Sequence, residues 1–451
     1  MRKILVVAFV ASLMPFYRGA VLAQDLEPEA LVSPDGQKNE NTLSEVANVS
    51  APSLILSTPV VEDVKAKDAD VSEDVKKKIP DKKLDLKAVI FDPSADFKAQ
   101  AEEEGREMTK EEIYKYKIHE ALHGEVKAID SVPLLKEHTT LHFDKGPIES
   151  ITPSFLFRGR MSQMWTGENY ANTLFNLDFA DFIVDAKFRD GKTVFKLMVN
   201  PSRPVDNTTY MQSFLEYLYI QRQMTKNNKL LVGMTRQQVG LEAAYGAAGT
   251  PLFARSQVSR TYGNSFVPGI VWSGNYQLVD YSLAGASSTR WLKDFFPGPE
   301  FTGHVNFKPL AKTDGKYGKL ALGGSLNAGN AESHYTVGMA HLVYEYKRLK
   351  GIVEYGSADG SNGSTGFTAN RSEGFYGNLA YRVTPKLEAM VRYDQFDPNK
   401  DKANDRRTEY TAGLNYYLKG QALRIMLNYV YYTVENGAYG SRILVGTQIL
   451  L

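Results

Sequence analysis

The sequence contains no cysteine. Disulfides, thiolate metal sites, cysteine nucleophiles and a lipid anchor carried on a cysteine are therefore excluded. It also lacks any run of about 20 apolar residues, the length a helix needs to cross a bilayer. Such a chain can enter a membrane only as strands closed into a barrel, because hydrocarbon tolerates no unpaired backbone edge. An excess of one charge is missing too. The 53 Lys and Arg nearly balance 52 Asp and Glu, a net of +1, so nothing in the total implies a nucleic-acid partner. Aromatic residues are scarce in the first third, where residues 1–150 hold 8 of the 51 Phe, Trp and Tyr.

The balanced total hides a split. Residues 151–451 carry 33 basic and 24 acidic residues, a net of +9, while residues 1–150 carry 20 basic and 28 acidic, a net of −8. Two oppositely charged parts imply two kinds of structure. Arg2 and Lys3, the apolar segment Ile4 to Leu13, and Val21-Leu22-Ala23 read as a Sec signal peptide over 1–23, cleaved after Ala23. Residues 24–150 read as an acidic, low-complexity extension. Its composition buries too little apolar area to offset chain entropy, so it is expected to be mostly disordered or helical and to act as a periplasmic tether. One helix is expected near 109–127, where Thr109 and Glu112 have capping-box spacing.

From about residue 153 the pattern changes to a period of two. Leu387, Ala389, Val391 and Tyr393 alternate with Glu388, Arg392 and Asp394. Tyr410, Ala412, Leu414 and Tyr416 alternate with Glu409, Thr411, Gly413 and Asn415, and Leu423 to Tyr431 repeat the pattern. Apolar-out, polar-in alternation over about ten residues is the pattern of a transmembrane barrel. About sixteen strands are expected, starting near Ser154, Thr173, Lys192, Gln212, Lys229, Ser265, Asn275, Phe301, Lys319, Ser333, Leu349, Glu373, Lys386, Arg407, Gln421 and Arg442. Alternate connections are short, such as Arg189–Gly191 and Lys347–Arg348, and the intervening ones are long, notably Val239–Asn264. Short turns on one rim and long loops on the other fit an outer-membrane barrel with both ends periplasmic. Tyr376, Tyr381, Tyr393, Tyr417 and Tyr432 lie near strand ends, where an interfacial girdle belongs. The fold class is thus an all-β, transmembrane, antiparallel β-barrel over 151–451.

Four segments resemble the phosphate-selective porin O and P family. Leu387-Glu388-Ala389-Met390-Val391-Arg392-Tyr393-Asp394 is similar to its Glu-x-x-x-Arg-Tyr strand, and Thr411 to Leu418 to its Gly-Leu-Asn-x-Tyr-Leu strand. Phe155 to Gln163 resembles the opening strand, and Val232-Gly233 with Gly240-Leu241-Glu242 resembles the entry to the third loop, with Gln238 near a usual proline. The resemblance implies a trimeric, sixteen-stranded passive channel narrowed by its third external loop, here Val239–Asn264. Phosphate-selective members place lysines in that loop. This one has Arg255 and Arg260 and no lysine, which argues for a mild anion preference over strict phosphate selection.

Anion contact suits arginine, whose planar fork stays charged and binds oxyanions bidentately. Alternation turns Arg382, Arg392, Arg424 and Arg442 inward, and Arg158 and Arg160 share a face with Ser162. With Arg255 and Arg260 these are the candidate pore-lining residues. Each could instead pair with a carboxylate such as Glu388, Asp394 or Glu409 and only stiffen the wall. One motif points elsewhere. His119-Glu120-Ala121-Leu122-His123 spells H-E-x-x-H, with His138 and His142 nearby. The segment has almost no core in which to build a protease cleft, so His119 and His123 are only marginal metal candidates. No dinucleotide fingerprint, P-loop or nucleophile elbow is present, and no enzyme activity or cofactor is implied. The expected partners are outer-membrane lipid, small anionic or polar solutes and two further copies of the chain. An alternative is a structural anchor whose N-terminal segment touches the cell wall or a periplasmic protein.

Overall fold

The structure is a computed structural model, and it describes residues 105, 107–123, 128–202, 214–263, 266–288, 298–330, 333–361 and 370–451. The expected signal peptide and most of the acidic extension lie outside the described residues.

Sixteen antiparallel strands follow one another around a closed barrel. The first eight are β1 (Ile148–Thr166), β2 (Asn169–Phe188), β3 (Thr193–Val199), β4 (Leu215–Gln223), β5 (Asn228–Arg236), β6 (Phe266–Asn275), β7 (Val279–Ser287) and β8 (Pro299–Phe307). The second eight are β9 (Lys319–Asn330), β10 (His334–Tyr346), β11 (Leu349–Asp359), β12 (Arg371–Arg382), β13 (Leu387–Asp397), β14 (Arg407–Lys419), β15 (Leu423–Val434) and β16 (Tyr439–Leu450). Every strand begins within six residues of its expected start. Closure runs from Gly440 opposite Thr166 to Leu450 opposite Leu156, which removes the free edge that an open sheet would expose. β1 starts and β16 ends at the same rim, the rim of the short turns.

The outer face is apolar along the second half of the barrel. Val353, Leu379, Val391, Tyr410, Leu414 and Ile425 all point outward and are exposed. Phe375, Tyr393, Tyr410, Tyr431 and Tyr439 form a row across β12–β16, with ring centroids 5.3–6.4 Å apart. This row is an aromatic belt of the kind that sits at a membrane interface. Three tyrosines expected in that belt face the lumen instead. Tyr376 shares its face with Glu354 and Asp394, Tyr417 with Arg424, and Tyr432 with Glu409. Position near a strand end gives depth, and only the phase gives the side. The Tyr376 and Tyr417 hydroxyls donate to Glu354 and Glu388.

Just before the barrel the chain forms a strap along the rim of the short turns. β1 extends past the end of β16, so its lower edge would be bare. Leu141 and His142 pair with Ile151 and Ser150 and cover that edge. Leu134 N–H donates to Leu450 O at 2.9 Å, and Gln421 N–H donates to Asp130 O at 2.8 Å. Further upstream, α1 (Lys110–His123) starts with both bonds of a capping box: Thr109 N–H donates to the Glu112 carboxylate at 2.9 Å, and Glu112 N–H to the Thr109 hydroxyl at 3.2 Å.

Candidate functional site: the inward-folded loop

β5 ends at Arg236 and β6 begins at Phe266, so the chain between them is the longest connection on the loop rim. It does not project outward. It folds into the barrel and lies against the inner wall from β9 round to β1. Its entry is fixed at Gly240, whose φ is +83°. An added Cβ there would stand 2.5 Å from Met339 Cε and 2.7 Å from a Glu354 oxygen. Only glycine fits both the conformation and the space. Gly240 N–H donates to Ser325 Oγ at 2.8 Å, and Leu241 N–H to Glu354 Oε1 at 2.5 Å.

The rest of the loop is two single 3₁₀ turns, Glu242–Ala244 and Ala247–Gly249, and the short helix α2 (Gln257–Tyr262), capped by Ser256. Each leaves backbone groups that the wall or the loop's own Glu242 satisfies. Glu242, Asp394 and Asn428 accept the N–H groups of Ser256, Gln257 and Phe253 at 2.6, 2.8 and 2.9 Å. Asn415 donates to Pro251 O at 2.8 Å. One end packs by shape: Val239, Val258 and Tyr262 form a buried apolar cluster with Tyr335, Val337, Met339, Ala358 and Phe396.

Wall arginines hold the loop carbonyls. Arg158 Nη2 donates to Ala247 O at 2.6 Å and to Thr250 Oγ1 at 2.8 Å. Arg424 Nη2 donates to Thr250 O at 2.7 Å, and Arg392 Nη1 to Ala254 O at 3.0 Å. Gln448 Oε1 accepts from both Arg158 and Arg424. Hydrogen bonds to charged groups contribute about 1.5–3 kcal/mol each, so this set fixes the loop firmly.

This arrangement separates the eight candidate arginines. Arg158, Arg392 and Arg424 do face inward, but they are 0%, 3% and 0% exposed, sealed behind the loop. They bind protein carbonyls and present no open face to a solute, which corrects their expected role as lining. Arg255 is also buried and donates to the carbonyls of Glu242 and Tyr245. Arg160 pairs with Asp178 at 3.1 Å, and Arg382 with Glu388 at 3.3 Å. Arg260 and Arg442 differ. They share one carboxylate, Glu409, at 3.3 and 3.2 Å, and their side chains keep 31% and 20% exposure. Two guanidiniums thus converge on one carboxylate while keeping part of their surface open.

The sequence reading missed the wall groups that receive the loop, Ser325, Glu354 and Asn428. Their signal was inward phase combined with polarity. His119 is buried in α1, and among the described residues no group of three or more His, Asp or Glu could hold a metal ion.

The fold has solved counterparts. The outer membrane channel DcaP of Acinetobacter baumannii aligns with a TM-score of 0.51 at 11% identity, over 69% of this chain and 100% of that one. OmpF of Salmonella typhi, solved with daunomycin, aligns with a TM-score of 0.51 at 10% identity, over 69% and 100%. An anion-selective porin from Comamonas acidovorans aligns with a TM-score of 0.50 at 10% identity, over 67% and 99%. At such identities the likeness is one of fold. No curated protein matches the chain. The family described as phosphate-selective porin O and P matches residues 286–439, which include the resembling segments of β13 and β14. On a barrel of porin fold, residues 286–439 carry the sequence signature of the phosphate-selective porin O and P family.

Proposed function

We propose that the protein is a passive outer-membrane channel for small polar solutes, with a mild preference for anions such as phosphate. The observation that carries this reading is the closed barrel with its third loop folded inward and pinned, which narrows the path through it. The preference follows from the Arg260–Glu409–Arg442 trio and from the barrel's net of +9. A lumen with one sign of charge in excess concentrates the opposite ion. Arg160 and Arg382, each matched by one carboxylate, add little to it. Export by the Sec signal at 1–23, a periplasmic extension over 24–150 and assembly as a homotrimer complete the proposal, and no cofactor is required.

Single-channel recording of the refolded chain in planar bilayers tests it. Conductance with a reversal potential on the anion side is expected. A silent bilayer, or a cation preference, would sink the reading.

The strap supports a second, compatible role. Because residues 128–142 are bonded to the rim, anything bound by the preceding extension would be tethered to the short-turn rim of the barrel. An anchor to the cell wall or to a periplasmic protein would use that geometry.

A further inference from the structure

The first half of the loop presents no charge to the lumen. Between Leu241 and Ala254 the only charged side chain, Glu242, is buried, and the exposed positions are Ala244, Gly246 and Gly249. Tyr245 is the one large side chain at this tip. Its carbonyl accepts from Arg236 at 3.1 Å and from Arg255 at 2.7 Å, which fixes the backbone that carries the ring.

A cation reaches this tip from the wall. Lys350, the second residue of β11, shares the inward face of Ile352 and Glu354, and its cross-strand partners are Glu345 and Ala380. Its Nζ stands 5.8 Å from the centroid of the Tyr245 ring, within the range of a cation–π contact. Among the described residues no carboxylate lies within 4.0 Å of Lys350 Nζ. Glu345, the nearest by register, is bonded to Lys319 at 3.7 Å. Glu242 and Glu354 accept loop N–H groups instead. The ring positions the ammonium without neutralising it, because a quadrupole carries no net charge.

We propose that Lys350 supplies the charge at the loop tip and is a determinant of anion preference in this channel, a role distinct from that of the Arg260–Arg442 pair. The inference rests on the channel reading above. An ammonium suits the task because it is a compact, strongly hydrated point charge on a flexible stem. It attracts a small hydrated anion yet releases it, as conduction requires. The arginines behind the loop cannot do this, since the loop buries them.

The test is the reversal potential of the full chain in bilayers under a KCl gradient, for wild type, Lys350→Gln, Lys350→Arg, Lys350→Glu and Arg442→Gln. Heat-modifiable migration on SDS gels confirms that each variant is folded. Lys350→Gln is expected to lower the chloride-to-potassium permeability ratio by about twofold or more. Lys350→Arg should keep it, and Lys350→Glu should move it to the cation side. An anion-preferring wild type whose ratio is unchanged in folded Lys350→Gln overturns the role of Lys350 and leaves the channel reading standing. A conducting wild type with no anion preference overturns the reading beneath, and the inference with it.

Discussion

Arg158 of β1 and Ala247 of the inward loop are 89 residues apart in sequence and 2.6 Å apart as donor and acceptor. The bond joins the first strand of the barrel to the element that narrows it. Arg158 also meets Thr250 and Gln448, so its replacement would remove a charged hydrogen bond from three buried residues. Arg158→Met is expected to cost on the order of 2–3 kcal/mol, seen as a lower midpoint of chemical unfolding. The loosened loop should also raise open-channel noise. Arg158→Lys should recover only part of either effect, because an ammonium cannot reproduce the forked contact. Unchanged noise and midpoint in Arg158→Met would mean that the loop is held elsewhere.

The loop entry gives a second prediction. A side chain at Gly240 meets both a positive φ and the Met339 and Glu354 atoms. Gly240→Ala should therefore strain the entry by about 1–3 kcal/mol. The barrel strands do not depend on Gly240, so the variant should keep its β-sheet circular dichroism while its conductance becomes larger or less steady. Wild-type conductance in a folded Gly240→Ala protein would count against the pinned loop.

Strong acid should loosen the turn between β2 and β3. The Asp190 carboxylate accepts from the Thr193 hydroxyl and from the backbone N–H groups of Lys192 and Thr193, and it pairs with Arg222 at 2.7 Å. These bonds, the Thr193 hydroxyl foremost, hold its pKa down at about 2. The unfolded value lies near 3.9, as for an ordinary aspartate. A folded pKa below the unfolded one gives stability that is present above about pH 4 and is lost as pH falls towards 2. The stability gap between wild type and Asp190→Asn should be constant near neutrality and close over that window. A gap that persists at pH 2 would show that the carboxylate charge is not what holds the turn.

The strap sets where the extension can be cut. Leu141 and His142 cover the part of β1 that β16 does not reach. Removing residues 24–127 should leave refolding yield and conductance intact. Extending the deletion through 145 should lower the yield and promote aggregation, because it bares a strand edge. Equal yields for the two deletions would deny the strap its covering role. Loss of conductance from the shorter deletion would identify the extension as part of the channel.

Strands and their phase were readable in the sequence because a membrane on one side and water on the other force a period of two. The same periodicity was silent about where the third loop lands. Alternation turned Arg392 and Arg424 inward, yet it could not show that loop carbonyls would occupy them. That outcome depends on closing the barrel and folding 29 residues back into it, a long-range event with no local signature. The pairing of Arg260 and Arg442 on Glu409 was similarly hidden, since the three come from the loop, β16 and β14. Lys350 escaped notice because its strand reads as ordinary wall and its partner Tyr245 lies in another part of the chain.

The phase itself can be tested at β13, where Val391 is 54% exposed and its neighbour Arg392 only 3%. If Val391 faces lipid, Val391→Lys puts a charge into hydrocarbon and should destabilise the barrel by about 2–4 kcal/mol in vesicles. Val391→Leu should be nearly neutral, since lipid accepts either side chain. The measurement is the urea dependence of reversible folding into vesicles, followed by tryptophan fluorescence. A lysine tolerated at 391 without loss of stability would place that position in water. The inward side of β13, with Arg392 and Asp394 beneath the loop, would then have to be reassigned.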